Sequence, residues 1–388
     1  MTNSFGFMYC LFVIVPILIV AHLLERRSPP RTFKMYESLD GLRGIAAIFV
    51  FLSHCSLFYY FNKTGVWSFS GASFSNSFYN NCGSGAVTIF FMMSSFLFYG
   101  KIKEQKHFDF YRLYKSRIYR ISPMYFFSTF LGFIILFFYK KSYHVSWQAA
   151  EKTFLFGGIG NMFGLPNVPL MTNGTAWTLP YEWSLYFLLP LVWIIVKTEK
   201  PTKDILISFI FWAIVISYSY IMGLNYNLFV IFLTGIISYE FLAAAKGSNI
   251  ESALRSKYAS FIVILLSICV VFLDINETVP NGAMSWPSSI FVYSTIFTII
   301  ASGNTMFGFL TSASARKIGD ISYSFYLLQF IFMWIGFEII FHVNGKIIDY
   351  LGHFSVSGII GLLLFIFSSI TFDKIERPIM DAAKRSLS

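Results

Sequence analysis

Apolar residues run through this chain in long uninterrupted stretches, and the polar residues collect between them rather than alternating with them. The stretches over 7–24, 40–61, 85–100, 121–139, 177–196, 205–222, 227–245, 259–274, 288–311, 321–342 and 356–373 predict about eleven membrane-spanning helices. A soluble helix would show one charged face at a 3.6-residue period; these stretches are apolar all round. The fold class that follows is all-α, a polytopic transmembrane helix bundle. Two polar stretches read as outer loops. One is 62–84, rich in Ser, Asn and Gly; the other is 140–176, rich in Gly, Asn and Pro, with room for a short interfacial or re-entrant helix over Lys152–Phe163.

A few polar side chains break the pattern. Arg43 and His54 share one stretch, eleven residues apart. At about 100° per residue that is within about 20° of three full turns, so the two share a helix face roughly 16 Å apart. Ionisable groups inside a span are costly to bury and mark a site by default. Of six histidines only His54 lies well inside a predicted span; His22, His342 and His353 lie near span ends. A neutral imidazole there either accepts a proton as a general base or satisfies a polar group on another helix. Asp40, at the start of the same span, either caps the helix or pairs with Arg43 at i, i+3.

A second cluster opens the fifth stretch, Trp177-Thr-Leu-Pro-Tyr-Glu182-Trp-Ser-Leu-Tyr186. Glu182 and Tyr186 are four apart and face the same way. Counting helix rise from the outer ends puts Glu182 and His54 at similar depths, roughly 8 and 10 Å, so Glu182 is expected to orient His54. Trp177 and Tyr186 read either as an interfacial aromatic belt or as the border of a cleft. Before the fourth stretch comes a basic segment ending in Arg117-Ile-Tyr-Arg120-Ile-Ser-Pro123. On a helix Arg117 and Arg120 are neighbours, and two adjacent guanidinium groups suit a phosphate or pyrophosphate. The plainer reading is a basic flank near anionic lipid.

Composition agrees with the membrane reading: 56% of residues are hydrophobic and 12% charged, with mean hydropathy +0.64. The net charge of +10 invites a nucleic-acid partner, but its distribution excludes one. With Arg26, Arg27, Arg31 and Lys34 placed in the cytoplasm, all of the 29 Lys and Arg except Lys63, Lys140, Lys141, Lys152 and Lys346 fall at the cytoplasmic side. That is the positive-inside rule, with the N-terminus outside and the C-terminus cytoplasmic. The first stretch has its basic residues after it, the reverse of a signal peptide, so residues 1–35 read as an added anchor with a basic loop and 36–388 as the main membrane domain. Four cysteines, three in predicted helices and Cys82 in a loop, form no metal or disulfide pattern. No P-loop, zinc spacing or serine elbow is present, so no metal site is expected. Asn62, Asn173 and Asn276 begin Asn-x-Thr sequons in predicted outer loops.

Six segments in order resemble the acyltransferase-3 family of integral-membrane O-acyltransferases. They are Ser38-Leu-Asp40-Gly-Leu-Arg43-Gly with His54; Phe90-Phe-Met-Met-Ser94-Ser95; Arg117-x-x-Arg120-x-x-Pro123; Trp177-Thr-Leu-x-x-Glu182-x-x-x-Tyr186; Ile318-Gly-Asp-Ile-Ser-Tyr323-Ser-Phe-Tyr326-Leu; and Ile375-Glu376-Arg377-Pro378. Two positions depart from the family's pattern. Ser95 stands where a glycine is usual, and Gln329 where the late Tyr motif is usually followed by histidine, which shifts the catalytic weight onto His54. The resemblance implies transfer of an acetyl or other short acyl group from acyl-CoA to a hydroxyl of a cell-surface glycan or its lipid-linked precursor. His54, Glu182 and Arg43 would be catalytic, and Arg117, Arg120 and Arg43 would hold the donor. Trp177 and Tyr186 would face the acceptor, and Asp40, Ser94, Tyr323, Glu376 and Arg377 would be structural. It further implies acetyl-CoA as a substrate rather than a resident cofactor, and membrane lipid and a glycan as partners. A bacterial inner membrane is the expected location. The rival from another class is a proton-coupled transporter of a glycan or acylated intermediate, with Arg43 and His54 as its relay.

Overall fold

The computed structural model describes residues 6–25, 37–69, 73–142, 145–197, 213–225, 228–275, 287–344 and 349–387. It is 85% helical and has no strands among these residues. A 3-10 turn (Gly6–Cys10) leads into α1 (Leu11–Glu25), followed by α2 (Glu37–Thr64), α3 (Phe74–Glu104) and α4 (Phe110–Tyr139). Two short helices, α5 (Trp147–Phe154) and α6 (Val168–Met171), and a 3-10 turn (Gly174–Thr178) precede α7 (Leu179–Lys197). Then come α8 (Ala213–Met222), α9 (Phe229–Ala245), α10 (Asn249–Arg255), α11 (Lys257–Ile275) and α12 (Pro287–Ala301). The chain ends with α13 (Ala313–Asn344), α14 (Tyr350–Thr371), a π turn (Phe372–Glu376) and α15 (Arg377–Leu387).

In its described residues, every predicted span overlaps one of these helices. Seven are long and apolar enough to cross a membrane, and an eighth if α10 and α11, bent by 62° at their junction, count together. The described part of α8, α9 and the Ser289–Ala301 part of α12 are apolar but shorter. The apolar side chains of Phe126, Phe130, Phe133 and Phe137 lie along one exposed face of α4, and Phe261, Leu265, Ile268 and Phe272 do the same on α11. Exposed apolar stripes on spanning helices face lipid, which solvates them as well as a protein core would.

The centre of the bundle is α2, packed between α13 and α3. Glycines set the closeness of the α2–α13 pair. A Cβ on Gly44 would stand 2.6 Å from the backbone nitrogen of Gly319, and one on Gly41 would collide with the Leu310 carbonyl. Small residues at such a seam let two backbones meet and place the side chains beside them across one cleft. Ser95 sits on the α3–α9 seam, where the room a glycine would have left is provided by Gly235 on the facing helix.

Several helix boundaries differ from the sequence expectation. α3 begins at Phe74, capped by Ser73, whose side chain accepts from the Asn76 amide at 3.1 Å. The stretch 74–84 is therefore helical, and Cys82 is buried in it rather than in a loop. Hydropathy misses this turn because its polar groups are paired: Tyr60 donates to Asn76 Oδ1 (2.7 Å) and Tyr293 to Asn81 Oδ1 (2.6 Å). α4 likewise begins early, capped by Asp109, so that Arg117 and Arg120 are helical. The predicted span 288–311 ends at Ala301. Beyond it Gly303, Met306, Phe307 and Gly308 take positive φ, and Asn304 ties the turn to Leu254 O and Ser256 O.

Much of the described part of the stretch 140–176 is buried in the bundle rather than forming a surface loop. Met162, Val168, Thr172, Asn173 and Thr175 are all buried. Its first helix spans Trp147–Phe154, earlier than the expected 152–163. Asn173 donates to Thr129 Oγ1 (3.0 Å) and accepts from the Ile159 amide (3.1 Å), so the sequon there is sealed from any glycosylating enzyme. Asn62 lies within α2, while Asn276, residues 205–212 and the basic segment Arg26–Lys34 lie outside the described residues.

Candidate functional site

A cavity of about 240 Å³ opens between α2, α3, α4, α7 and α13. Its polar lining comes from Arg43, Ser94, Lys101, Arg117, Arg120 and Glu182, together with Tyr186, Tyr323 and Tyr326. Four basic side chains against one carboxylate leave it strongly positive. Helix geometry delivers each group. Arg117 and Arg120 are one turn apart on α4, and Glu182 and Tyr186 one turn apart on α7.

Within the cavity the groups form one network. Arg43 Nη2 lies 3.7 Å from Asp40 Oδ1, the i, i+3 pair that the spacing suggested. Glu182 accepts from Tyr186 Oη at 3.3 Å and from Ser94 Oγ at 3.5 Å, and it stands within electrostatic reach of Arg117, Arg120 and Arg43. The Arg117 guanidinium lies over the Phe98 ring, 5.1 Å from its centroid. Its Nε is buried with no hydrogen-bond partner among the described residues. Tyr323 donates to the Ile121 carbonyl at 2.8 Å and so pins α13 to α4 beside Arg120. Glu376 is turned inward by the π turn, accepts from Ser324 Oγ and adds its field to Arg120. Arg377 instead pairs with Asp373 at 3.0 Å on the surface.

His54 is not part of the cavity wall. Its Nδ1 lies 3.2 Å from Gln329 Oε1, and its ring lies against Phe330 (centroids 4.6 Å apart) and Trp67 (6.0 Å). The expected Glu182–His54 contact is therefore replaced by two separate pairings. The depth count failed because it took residue 177 as the water boundary. The 3-10 turn before α7 is buried, with Thr175 donating to Tyr326 O (2.7 Å) and Thr178 Oγ1 3.2 Å from Tyr326 Oη. α7 thus starts deep in the bundle, and Glu182 stands beside Arg43, about 16 Å of helix rise from His54.

Trp177 and Tyr186 do not border one cleft either. Trp177 lies in the 3-10 turn before α7, while Tyr186 lies on α7 itself. Tyr186 lines the cavity, whereas Trp177 is partly exposed against Tyr181.

Two side chains were missed. Gln329, fully buried, is the partner of His54, and the only signal was its place in the late Tyr motif. His353 seemed to precede its span, but α14 starts at Tyr350. The imidazole is buried, stacked on Phe337 (4.3 Å) and bonded to the Cys55 carbonyl (2.8 Å). Cys55 O only accepts, so His353 Nε2 carries the proton and braces the backbone next to His54.

No curated protein and no solved structure matches the chain. A family model described as an acyltransferase domain matches residues 36–372, most of its length. The six motif segments lie within or close to that match, and the transporter reading gives way to an enzyme. The protein thus belongs to the acyltransferase-3 family and is a membrane acyltransferase.

Proposed function

We propose that the protein moves an acetyl or other short acyl group from acyl-CoA to a hydroxyl of a cell-surface glycan or its lipid-linked precursor. The location proposed is a bacterial inner membrane, with the N-terminus outside and the C-terminus cytoplasmic. The single observation that carries the donor half is the convergence of Arg43, Arg117, Arg120 and Lys101 on one cavity with a single carboxylate among them. Guanidinium pairs bind phosphate through parallel hydrogen bonds, and CoA carries its phosphates at the end remote from the thioester. With the phosphates at these arginines, the pantetheine arm would lie along Phe90, Thr178 and Tyr326, which line the cavity, and would extend past that wall to reach His54.

In the transfer step the acceptor oxygen forms a bond to the thioester carbonyl carbon and the C–S bond breaks. His54 takes the hydroxyl proton and returns it to the leaving thiolate, so the products are an ester and free CoA. Glu182 holds Tyr186 and moderates the arginine field, and Asp40 steadies Arg43. The acyl-CoA acts as a substrate that comes and goes, and the glycan approaches from the opposite side.

The test uses the full chain in membranes with labelled acetyl-CoA and the host's own glycan. His54→Ala is expected to lose transfer by at least about 100-fold. Arg117→Ala and Arg120→Ala are each expected to raise the KM for acetyl-CoA about tenfold, as loss of a charge-assisted phosphate contact would. Transfer by His54→Ala at the wild-type rate would overturn the mechanism.

A further inference from the structure

Gln329 sits fully buried on α13, and both ends of its amide are committed. Its Nε2 donates to the Tyr326 carbonyl at 2.9 Å, and that carbonyl also accepts from Thr175 Oγ1 at 2.7 Å. A carbonyl only accepts, so the amide cannot turn over without facing one oxygen against another. Its Oε1 is thereby fixed toward His54 Nδ1 at 3.2 Å. An amide oxygen in turn only accepts, so Nδ1 must carry the ring proton, which leaves the lone pair on Nε2. Phe330 and Trp67 lie against the ring, and the polar contact with Gln329 sets which way the imidazole is held.

We infer that Gln329 is the positioning residue of His54, holding the imidazole in the Nδ1-protonated tautomer with Nε2 as the proton-accepting nitrogen. The inference rests on the proposed role of His54 as base. A histidine in place of Gln329 could donate or accept at this contact, whereas the amide has one polarity only. At Nδ1 a neutral acceptor suffices to choose the tautomer, with no carboxylate needed at that contact.

The test uses the full chain in lipid nanodiscs with nitrogen-15-labelled histidine. The His54 signals are those lost in His54→Asn. Wild type is expected to show a single Nδ1-protonated tautomer. Gln329→Met removes the acceptor at similar volume and is expected to show mixed tautomers. Its transfer from acetyl-CoA into the host glycan fraction should fall on the order of 10- to 100-fold in kcat, part of what a well-placed general base contributes, with KM for acetyl-CoA unchanged. Gln329→Glu with its carboxyl protonated can donate to the Tyr326 carbonyl through one oxygen and accept from Nδ1 with the other, and should keep both the tautomer and more activity than the Met variant. Unchanged His54 signals in Gln329→Met would overturn the inference, and so would loss of the single tautomer in Gln329→Glu should the Met variant fail to fold. Wild-type transfer by His54→Asn would overturn the proposed mechanism instead, while the tautomer readout would still report the Gln329 contact.

Discussion

At the scale of single residues, the cavity is defined by what each polar group has left over after its neighbours are satisfied. Arg117 keeps one buried donor without a partner among the described residues, while Glu182 spends its two oxygens on Ser94 and Tyr186. Removing the Tyr186 hydroxyl leaves one carboxylate oxygen short of a donor, a loss of roughly 1–3 kcal/mol. Tyr186→Phe is therefore expected to raise KM for acetyl-CoA several-fold. Trp177→Ala, off the cavity, should leave the constant within about twofold, since surface changes away from a site are small. Initial-rate kinetics on the two variants check the pair, and a larger effect from Trp177 would contradict the assignment of faces. The arginine spacing was legible in the sequence because two residues on one helix have their relation fixed by backbone hydrogen bonds. The Glu182–His54 expectation was not of that kind, since it compared depths on two helices whose ends the sequence does not mark.

At the scale of elements, the α2–α13 seam decides where the site can form. Arg43 follows Gly41 and Leu42, and Tyr323 follows Gly319 by one turn, so the glycines that allow contact stand beside the groups that use it. Gly44→Ala forces the seam apart by its 2.6 Å approach to Gly319, an overpacking cost of about 1–3 kcal/mol. Thermal unfolding in detergent should show a lower midpoint for this variant. Ser95→Gly should be close to neutral on that measurement, because Gly235 already provides the space. The chain between α4 and α7 is the other deciding element. It read as a loop because Gly, Asn and Pro are loop-formers locally, yet Asn173 and Thr175 find buried partners and carry the segment into the bundle.

At the scale of the whole molecule, α1 precedes the family match yet packs against α13 and α14. Val13, Ile17 and Ala21 are fully buried in that contact. Ser314 donates to Leu18 O at 3.0 Å, and Tyr79 to Gly6 O at 3.0 Å. α1 is thus part of the packed bundle and more than a tether. Within a bilayer the penalty for losing it comes from packing and hydrogen bonds rather than from water. Deleting residues 1–35 is expected to lower the unfolding midpoint while leaving acetyl-CoA affinity near the wild-type value, because every helix lining the cavity lies after residue 36. Calorimetry of unfolding and of binding on the same preparation separates the two effects.

By itself the sequence determined the membrane class, the approximate positions of the spans, the shared face of Arg43 and His54, and the adjacency of Arg117 and Arg120. All of these follow from hydropathy or from the period of one helix, and both are local. Only the tertiary structure decided that Glu182 joins the arginines, that Gln329 holds His54, and that Trp177 and Tyr186 part company. Those relations run between helices, and they depend on how closely glycine seams let backbones approach and on how deep a buried turn lets α7 begin. No spacing along the chain encodes either distance.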